Sequence, residues 1–78
     1  MIDDNAKIEI YTSRSCGYCH AAKALLESQD LEFTEIDVTL NSEKRNEMIV
    51  RSNQRSVPQI FIDGKSIGGF RELARLLG

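Results

Sequence analysis

Residues 7–20 read KIEIYTSRSCGYCH, and this stretch decides how the rest of the chain is interpreted. Over residues 7–12 the side chains alternate, with two isoleucines on one face, a pattern typical of a β-strand. A short turn follows, and then come Cys16 and Cys19. The apolar residues after them return at helical spacing, which predicts a helix over residues 17–28 that opens beside the cysteines.

The remaining sequence alternates between strand and helix patterns without a repeat or a linker. Its predicted elements are strand 32–38, a helix capped by Asn41 or Ser42 that frays near Asn53, strand 59–62, strand 65–67 and helix 70–77. The helical crossover favours parallel pairing of the first two strands, and Asp63-Gly64 indicates an antiparallel hairpin between the last two. The order βαβαββα predicts an α/β fold, with a four-stranded sheet and helices on both faces. Periodicity leaves open whether the third strand runs with or against the first.

Charged residues four positions apart on the predicted helices are expected to pair on the solvent side. These pairs are Lys23 with Glu27 and Glu47 with Arg51. In the second helix Met48 is expected to point inward. Each helix then presents one apolar stripe to the sheet.

The length of 78 residues predicts a single domain over residues 1–78, because a second core would need tens of residues more. The chain has 10 Lys plus Arg against 12 Asp plus Glu, a net charge of -2, which supplies no general attraction for nucleic acid. No apolar run approaches the roughly 18 residues that a membrane span requires. Residues 1–4 lack the pattern of a secretory signal, which predicts a cytoplasmic protein and leaves open whether a leader was removed.

The two cysteines are too few for a disulfide-stapled scaffold, and in a reducing compartment a close pair indicates redox chemistry. Cys16 opens a helix, where unpaired N–H groups and the helix dipole favour a thiolate, so it is the predicted nucleophile. Arg14 is expected to add to this stabilisation. Cys19 lies one helical turn further on, within reach of a mixed disulfide at Cys16, and is the predicted resolving thiol.

Three other interpretations of the cysteine pair are weaker. A pair present only for stapling would close a very short loop, worth about 2 kcal/mol. Residues 16–20 read CGYCH, the attachment pattern of c-type haem with His20 as axial ligand, but covalent haem needs an exported chain and an apolar envelope. A structural zinc site needs four Cys or His ligands, and this chain has three such residues.

The cysteine motif is accompanied by other short motifs. Tyr11-Thr12 precedes it, residues 54–59 read QRSVPQ at the third strand, and Gly68-Gly69 precedes the last helix. With these motifs in this order, from about Lys7 to Leu77, the chain resembles a glutaredoxin of the short bacterial type with two active-site cysteines. The resemblance implies a thioredoxin-like fold, in which a mixed sheet of order 2-1-3-4 is flanked by three helices. It also implies that the third strand is antiparallel to the first and that the bond from Val57 to Pro58 is cis.

The resemblance further implies that glutathione is the cosubstrate. Its sulfur would join Cys16, Tyr18 would form a wall of the groove, and the Val57 backbone would pair with the tripeptide as with a short added strand. The N–H groups at the start of the last helix would take the γ-glutamyl carboxylate, and Gln54 and Arg55 match positions that hold the glycyl carboxylate. The full implied set of glutathione-binding residues is Arg14, Tyr18, Gln54, Arg55, Val57, Pro58, Gly69, Phe70 and Arg71.

Four positions depart from the family pattern. Gly17 stands where proline is commonest, which loosens the turn and returns one N–H near the sulfurs. Ser13 stands where a lysine often faces the glycyl carboxylate, with Arg14 as its substitute if the side chain turns inward, and Ser56 replaces the usual threonine. Arg71 stands where an aspartate commonly meets the γ-glutamyl ammonium. A cation there is unfavourable, so Arg71 would grip the neighbouring carboxylate or weaken glutathione binding.

The expected activity is that of a glutathione-dependent thiol-disulfide oxidoreductase, which reduces glutathione mixed disulfides and protein disulfides. Its partners would be glutathione and glutathionylated or disulfide-bonded proteins, and it would act as a monomer without a metal. One alternative is a carrier of a [2Fe-2S] cluster, which two chains and two glutathiones would share through Cys16, giving a dimer. A second alternative is a redoxin that thioredoxin reductase reduces.

Overall fold

The computed structural model describes residues 5–78, and its elements follow the predicted order βαβαββα. Their bounds are β1 Ile8–Thr12, α1 Gly17–Ser28, β2 Thr34–Asp37, α2 Ser42–Ser52, β3 Gln59–Ile62, β4 Lys65–Gly68 and α3 Phe70–Leu77. Within residues 5–78, no helix is long and apolar enough to cross a bilayer. The expectation about a secretory signal concerns residues 1–4, which lie outside the described residues.

The four strands form one mixed sheet in the order β2-β1-β3-β4. β1 runs parallel to β2 and antiparallel to β3, while β3 and β4 form an antiparallel hairpin. The hairpin turn has a positive φ at both central residues, 52° at Asp63 and 81° at Gly64, as a type I′ turn requires. These observations confirm the implied sheet order and settle the direction of β3, which periodicity left open.

The core has two parts, one on each face of the sheet. On one face, α1 and α3 cover the strands through the buried side chains of Ile8, Ile10, Ala22, Leu26, Leu31, Ile60 and Leu73. On the other face, α2 covers them through Tyr11, Val38, Met48 and Phe61. β1 therefore contributes to both parts by the alternation of its side chains, and its last residue leads directly into the turn before the cysteines.

The predicted direct pairing of Glu47 with Arg51 is wrong. Both side chains instead meet on the phenol of Tyr11, which lies on the sheet beneath α2. The Tyr11 hydroxyl donates to Glu47 Oε1 at 2.5 Å, and Arg51 Nη1 donates to the same hydroxyl at 2.7 Å. Arg51 Nη2 also forms an ion pair of 3.0 Å with Glu9. The reason is that a strand below the helix offers these side chains partners that helical spacing alone does not reveal.

The predicted pair of Lys23 with Glu27 is replaced in the same way. Lys23 Nζ donates to Glu35 Oε2 at 2.9 Å, so its partner comes from β2. Two other predictions concern helix α2 and are confirmed. Asn41 caps α2, since its Oδ1 accepts the Lys44 N–H at 3.0 Å, and Met48 is fully buried.

The strands differ from the predicted ones at their ends. β2 spans residues 34–37, shorter than the predicted 32–38, because β1 offers partners only from Glu9 opposite Thr34 to Thr12 opposite Asp37. β4 continues one residue beyond the predicted 65–67, because a bulge in the pairing with β3 lets Gly68 face Ile60. The predicted bounds of α1 and β3 are confirmed.

Candidate active site

Cys16 is the N-cap of α1, and its backbone is extended there. Its Sγ accepts a hydrogen bond of 3.0 Å from the backbone N–H of Cys19, in the first turn of the helix. A sulfur in this position faces both an N–H donor and the positive end of the helix dipole, the two features on which the prediction of a nucleophile at Cys16 depends. Cys16 is half-buried, so the sulfur is open to a substrate from one side.

Cys19 lies one turn along the same helix but has a different environment. Its side chain is buried, with 1% exposure, and neither cysteine is in a disulfide. Burial, followed by the hydrogen bond to Cys16, raises the pKa of the Cys19 thiol to about 12. At neutral pH Cys19 is therefore a protonated, buried thiol beside the half-buried Cys16.

The segment before β3 lies against the Cys16 sulfur. The bond from Val57 to Pro58 is cis, as the resemblance implied. The carbonyl oxygen of Val57 lies 3.7 Å from Cys16 Sγ and accepts its S–H. Val57 is half-buried and Pro58 is buried, so the backbone at this point forms a fixed edge next to the reacting atom.

A groove of about 270 Å³ runs from this edge to the start of α3. Tyr18, 62% exposed, forms part of its wall, and its ring centroid lies 5.9 Å from that of Phe70. The lining residues are Tyr18, Ser56, Val57, Pro58, Gly69, Phe70, Arg71 and Glu72. Six of the nine residues predicted to bind glutathione thus line one groove, although they come from three separate parts of the chain.

The structure places the other three predicted residues elsewhere. Arg14 Nε forms an exposed ion pair of 3.2 Å with Asp37, so its guanidinium is directed to the end of β2. Gln54 lines an adjoining cavity, and Arg55 is exposed, with its carbonyl accepting a hydrogen bond from Arg45. Their contacts with a glycyl carboxylate stay predictions.

Glu72 is a residue that the sequence reasoning did not single out. It lines the groove, and its Oε1 accepts the backbone N–H of Gly69 at 2.8 Å, which satisfies one of the free donors at the start of α3. This hydrogen bond is the main reason why the pKa of Glu72 is lowered, so the side chain is an anion at neutral pH. A glutamate three residues after the capping position of a helix is a known signal for such a bond and could have identified it.

Gly17, the departure inside the cysteine motif, occupies the first position of α1. A Cβ placed on it would meet no other atom within 4 Å, so packing does not require glycine at this position. Among residues 5–78, no three His, Cys, Asp or Glu side chains come together in a set that could hold a metal ion. A cluster shared between two chains needs only one sulfur from each, and Cys16 as its ligand stays a prediction.

Comparison with known proteins agrees with this geometry. The glutaredoxin family model matches residues 8–67, which is most of the chain. The chain belongs to the glutaredoxin family. Glutaredoxin 3 of Escherichia coli K12 is 52% identical over 71 residues, which cover 91% of this chain and 86% of that protein.

Solved glutaredoxin structures have the same fold. The solution structure of glutaredoxin from Brucella melitensis has a TM-score of 0.77 at 44% identity, covering 90% of this chain and 76% of that one. A buckwheat glutaredoxin-glutathione complex has a TM-score of 0.80 at 25% identity, covering 92% of this chain and 68% of that one. Family and fold together establish that this glutaredoxin is a thiol-disulfide oxidoreductase with a thioredoxin-like fold.

Proposed function

We propose that the chain is a glutathione-dependent oxidoreductase, which reduces glutathione mixed disulfides and protein disulfides with Cys16 as nucleophile. The observation that carries this proposal is the position of the Cys16 sulfur. It lies at the N-terminus of α1 and 3.7 Å from the Val57 carbonyl, where a groove leads to the start of a second helix. Val57 borders this groove of about 270 Å³ and also lies beside the Cys16 sulfur, so a tripeptide joined to Cys16 would extend into the groove.

The reaction on a glutathionylated protein is a pair of thiol-disulfide exchanges. The Cys16 thiolate attacks the glutathione sulfur of the mixed disulfide, so that a new S–S bond forms and the protein substrate leaves as a thiolate that takes up a proton. A second glutathione thiolate then attacks the glutathione sulfur on Cys16. Oxidised glutathione is released, and Cys16 returns as a thiolate. The net reaction consumes one reduced glutathione, because the other half of the oxidised glutathione comes from the mixed disulfide of the substrate.

The groove offers glutathione three kinds of contact. The Val57 backbone provides an edge for extended pairing, the exposed ring of Tyr18 provides an apolar wall, and the start of α3 provides N–H donors for the γ-glutamyl carboxylate. The buckwheat glutaredoxin was solved in complex with glutathione, which supports this choice of ligand. Gln54 and Arg55 are our candidates for the glycyl carboxylate.

Glu72 compensates for the arginine that stands in place of an aspartate in this groove. The γ-glutamyl end of glutathione carries an ammonium as well as a carboxylate, and Arg71 suits only the carboxylate. The Glu72 carboxylate lines the same groove and is ionised, because the Gly69 N–H lowers its pKa. We therefore assign Glu72 to the ammonium and Arg71 to the carboxylate.

The variant Glu72→Gln is expected to weaken glutathione binding. Glutamine keeps an oxygen that accepts the Gly69 N–H but removes the negative charge. The KM for glutathione should rise about three- to fivefold, the range of an exposed charge pair, with little change in kcat. Steady-state kinetics on a glutathionylated peptide measure both constants.

Glu43→Gln is the matched control for this variant, since Glu43 occupies the first turn of α2, away from the groove. Its KM for glutathione should equal that of the wild type. An unchanged KM in Glu72→Gln would remove Glu72 from the binding set.

A Cys19→Ser variant separates the two substrate types. Reduction of a glutathionylated peptide needs only Cys16, so most of this turnover should remain. Reduction of a protein disulfide needs the resolving thiol and should fall at least about tenfold, because the mixed disulfide then waits for external glutathione. A variant that loses both activities equally would contradict the assigned roles.

The electron donor is tested with the wild-type protein. Glutathione with glutathione reductase should sustain turnover of a glutathionylated peptide, and thioredoxin reductase without glutathione should not. The reverse result would favour the alternative redoxin. Because the proposed cycle consumes reduced glutathione, we place the protein in a reducing compartment, the cytoplasm. We also propose that the protein acts as a monomer.

A further inference from the structure

A chain of polar contacts joins α1 to the sheet beside the buried cysteine. Lys23 Nζ donates to Glu35 Oε2 at 2.9 Å, and the hydroxyl of Thr12 donates to the same oxygen at 2.7 Å. Thr12 is 1% exposed, and it is the last residue of β1. The Thr12 hydroxyl thereby holds the Glu35 carboxylate in place, and this carboxylate in turn holds the Lys23 ammonium.

Lys23 lies four residues after Cys19 in α1, so the two side chains occupy the same face of the helix, one turn apart. The side chain of Lys23 is 24% exposed, which limits the screening of its charge by water. The hydrogen bond that Lys23 donates to Glu35 raises the pKa of Lys23, which keeps the ammonium charged. Its charge in turn acts to lower the pKa of Cys19, against the larger effect of burial.

Two backbone contacts also surround Cys19. The backbone N–H of Cys19 donates to the Cys16 sulfur. The thiol of Cys19 has a hydrogen bond with the backbone of Ser13, which lowers the pKa of this thiol. Lys23 acts electrostatically on Cys19 in the direction that lowers the pKa of this thiol, and the Cys16 sulfur acts in the opposite direction. No role in the mixed-disulfide chemistry at Cys16 uses this lysine.

We propose that Lys23, held in place by Glu35, is a positioning residue for the resolving step, where its ammonium stabilises the negative charge that develops on the Cys19 sulfur. This inference rests on the proposed function, because it concerns the route in which Cys19 attacks a mixed disulfide on Cys16. In that step the Cys19 S–H loses its proton to water, and its sulfur forms a bond to Cys16 Sγ. The bond from Cys16 to the substrate sulfur breaks, and the substrate leaves as a thiolate that takes up a proton.

A second lysine-glutamate pair shows why the first is not just a surface ion pair. Lys44 and Glu47 lie 3.4 Å apart within α2, both more than 40% exposed, and interact with no sulfur. Exposed pairs of this kind contribute roughly 0–1 kcal/mol to stability. The pair of Lys23 and Glu35 is also partly exposed, at 24% and 39%, but it connects α1 to β2, and Lys23 lies one helical turn from the buried Cys19. Lys44→Met is therefore a matched control.

The test follows the two oxidation steps of the reduced protein separately. Wild type, Lys23→Met, Lys23→Arg and Lys44→Met are mixed with oxidised glutathione, at concentrations where the first step no longer limits the second. Samples are quenched in acid, and mass spectrometry counts the reduced, mixed-disulfide and internally bridged forms. The first step reports Cys16, and the second reports the attack by Cys19.

In Lys23→Met the second step should be about three- to tenfold slower, while the first step stays within about twofold of the wild type. Lys23→Arg, which keeps a positive charge, should retain most of the second rate, and Lys44→Met should change neither.

Three results would overturn the inference: a second step in Lys23→Met as fast as in the wild type, equal slowing of both steps, or an arginine variant as slow as the methionine one. Absence of any mixed disulfide on Cys16 in the wild-type protein would instead contradict the proposed function. The two failures are thus distinguishable.

Discussion

Replacement of Cys16 by serine is expected to abolish turnover of both glutathionylated peptides and protein disulfides. A serine hydroxyl is not ionised at the N-cap of α1 at neutral pH and cannot form a disulfide, so no intermediate is available. Loss of the attacking atom should reduce kcat/KM by at least about a thousandfold. The fold should remain, because a serine oxygen at the same position can still accept the Cys19 N–H.

The measurement is a coupled assay with glutathione, glutathione reductase and a glutathionylated peptide. Cys19→Ser serves as the companion variant, since it removes the same kind of atom from a buried site one turn away. Residual turnover in Cys16→Ser above the level of glutathione alone would refute the assignment of the nucleophile. Rapid alkylation of Cys16 in the wild type at neutral pH would support its thiolate state independently.

The largest effect on stability is expected from Phe61→Ala. Phe61 is 1% exposed in β3, its ring meets Tyr11 edge to face at 5.6 Å, and Arg51 Cζ lies 4.0 Å from its ring centroid. Truncation leaves a cavity under α2 and removes both contacts. The free energy of unfolding should fall by about 3–5 kcal/mol, a large part of what a domain of this size has.

Denaturant unfolding followed by circular dichroism measures this change. Phe61→Leu, which refills most of the space, should lose much less. Val50→Ala is the surface control, because Val50 on α2 is 83% exposed, and it should change the free energy by no more than about 0.5 kcal/mol. If Phe61→Ala unfolded at the same denaturant concentration as Val50→Ala, the core on this face would not stabilise the fold as described.

Local patterns were sufficient for the elements, but not for the contacts between them. The alternation in β1, the helical spacing in α1 and the Asp63-Gly64 turn each depend on neighbours in sequence, and all three predictions were confirmed. The ion pairs of Lys23 and Arg51 were predicted wrongly, because helical spacing describes only partners on the same helix. Their actual partners lie on strands of the sheet and become visible only once the layers are assembled.

In the active site, too, the set of residues was predicted better than the contacts of individual side chains. The resemblance brought Tyr18, Val57 and Phe70 into one set, and the structure gathers them in one groove. The direction of an exposed, flexible side chain could not be predicted in this way. Arg14 was predicted to replace the usual lysine if its side chain turned inward, but its guanidinium instead pairs with Asp37 at the end of β2. The sequence contained a signal for the bond from Glu72 to Gly69, but the position of Glu72 in the groove becomes visible only when the start of α3 is placed beside β3.

The difference in burial between Cys16 and Cys19 has a practical use. A maleimide or a pyridyl disulfide too bulky to enter the interior would mark one atom of the native chain, and heat or denaturant would expose the second. The ratio of labels would then serve as a chemical gauge of folding. In the Cys19→Ser variant Cys16 is the only cysteine that remains. A substrate protein trapped as a mixed disulfide would therefore be joined to Cys16, and trapped substrates could be compared by the peptide attached there.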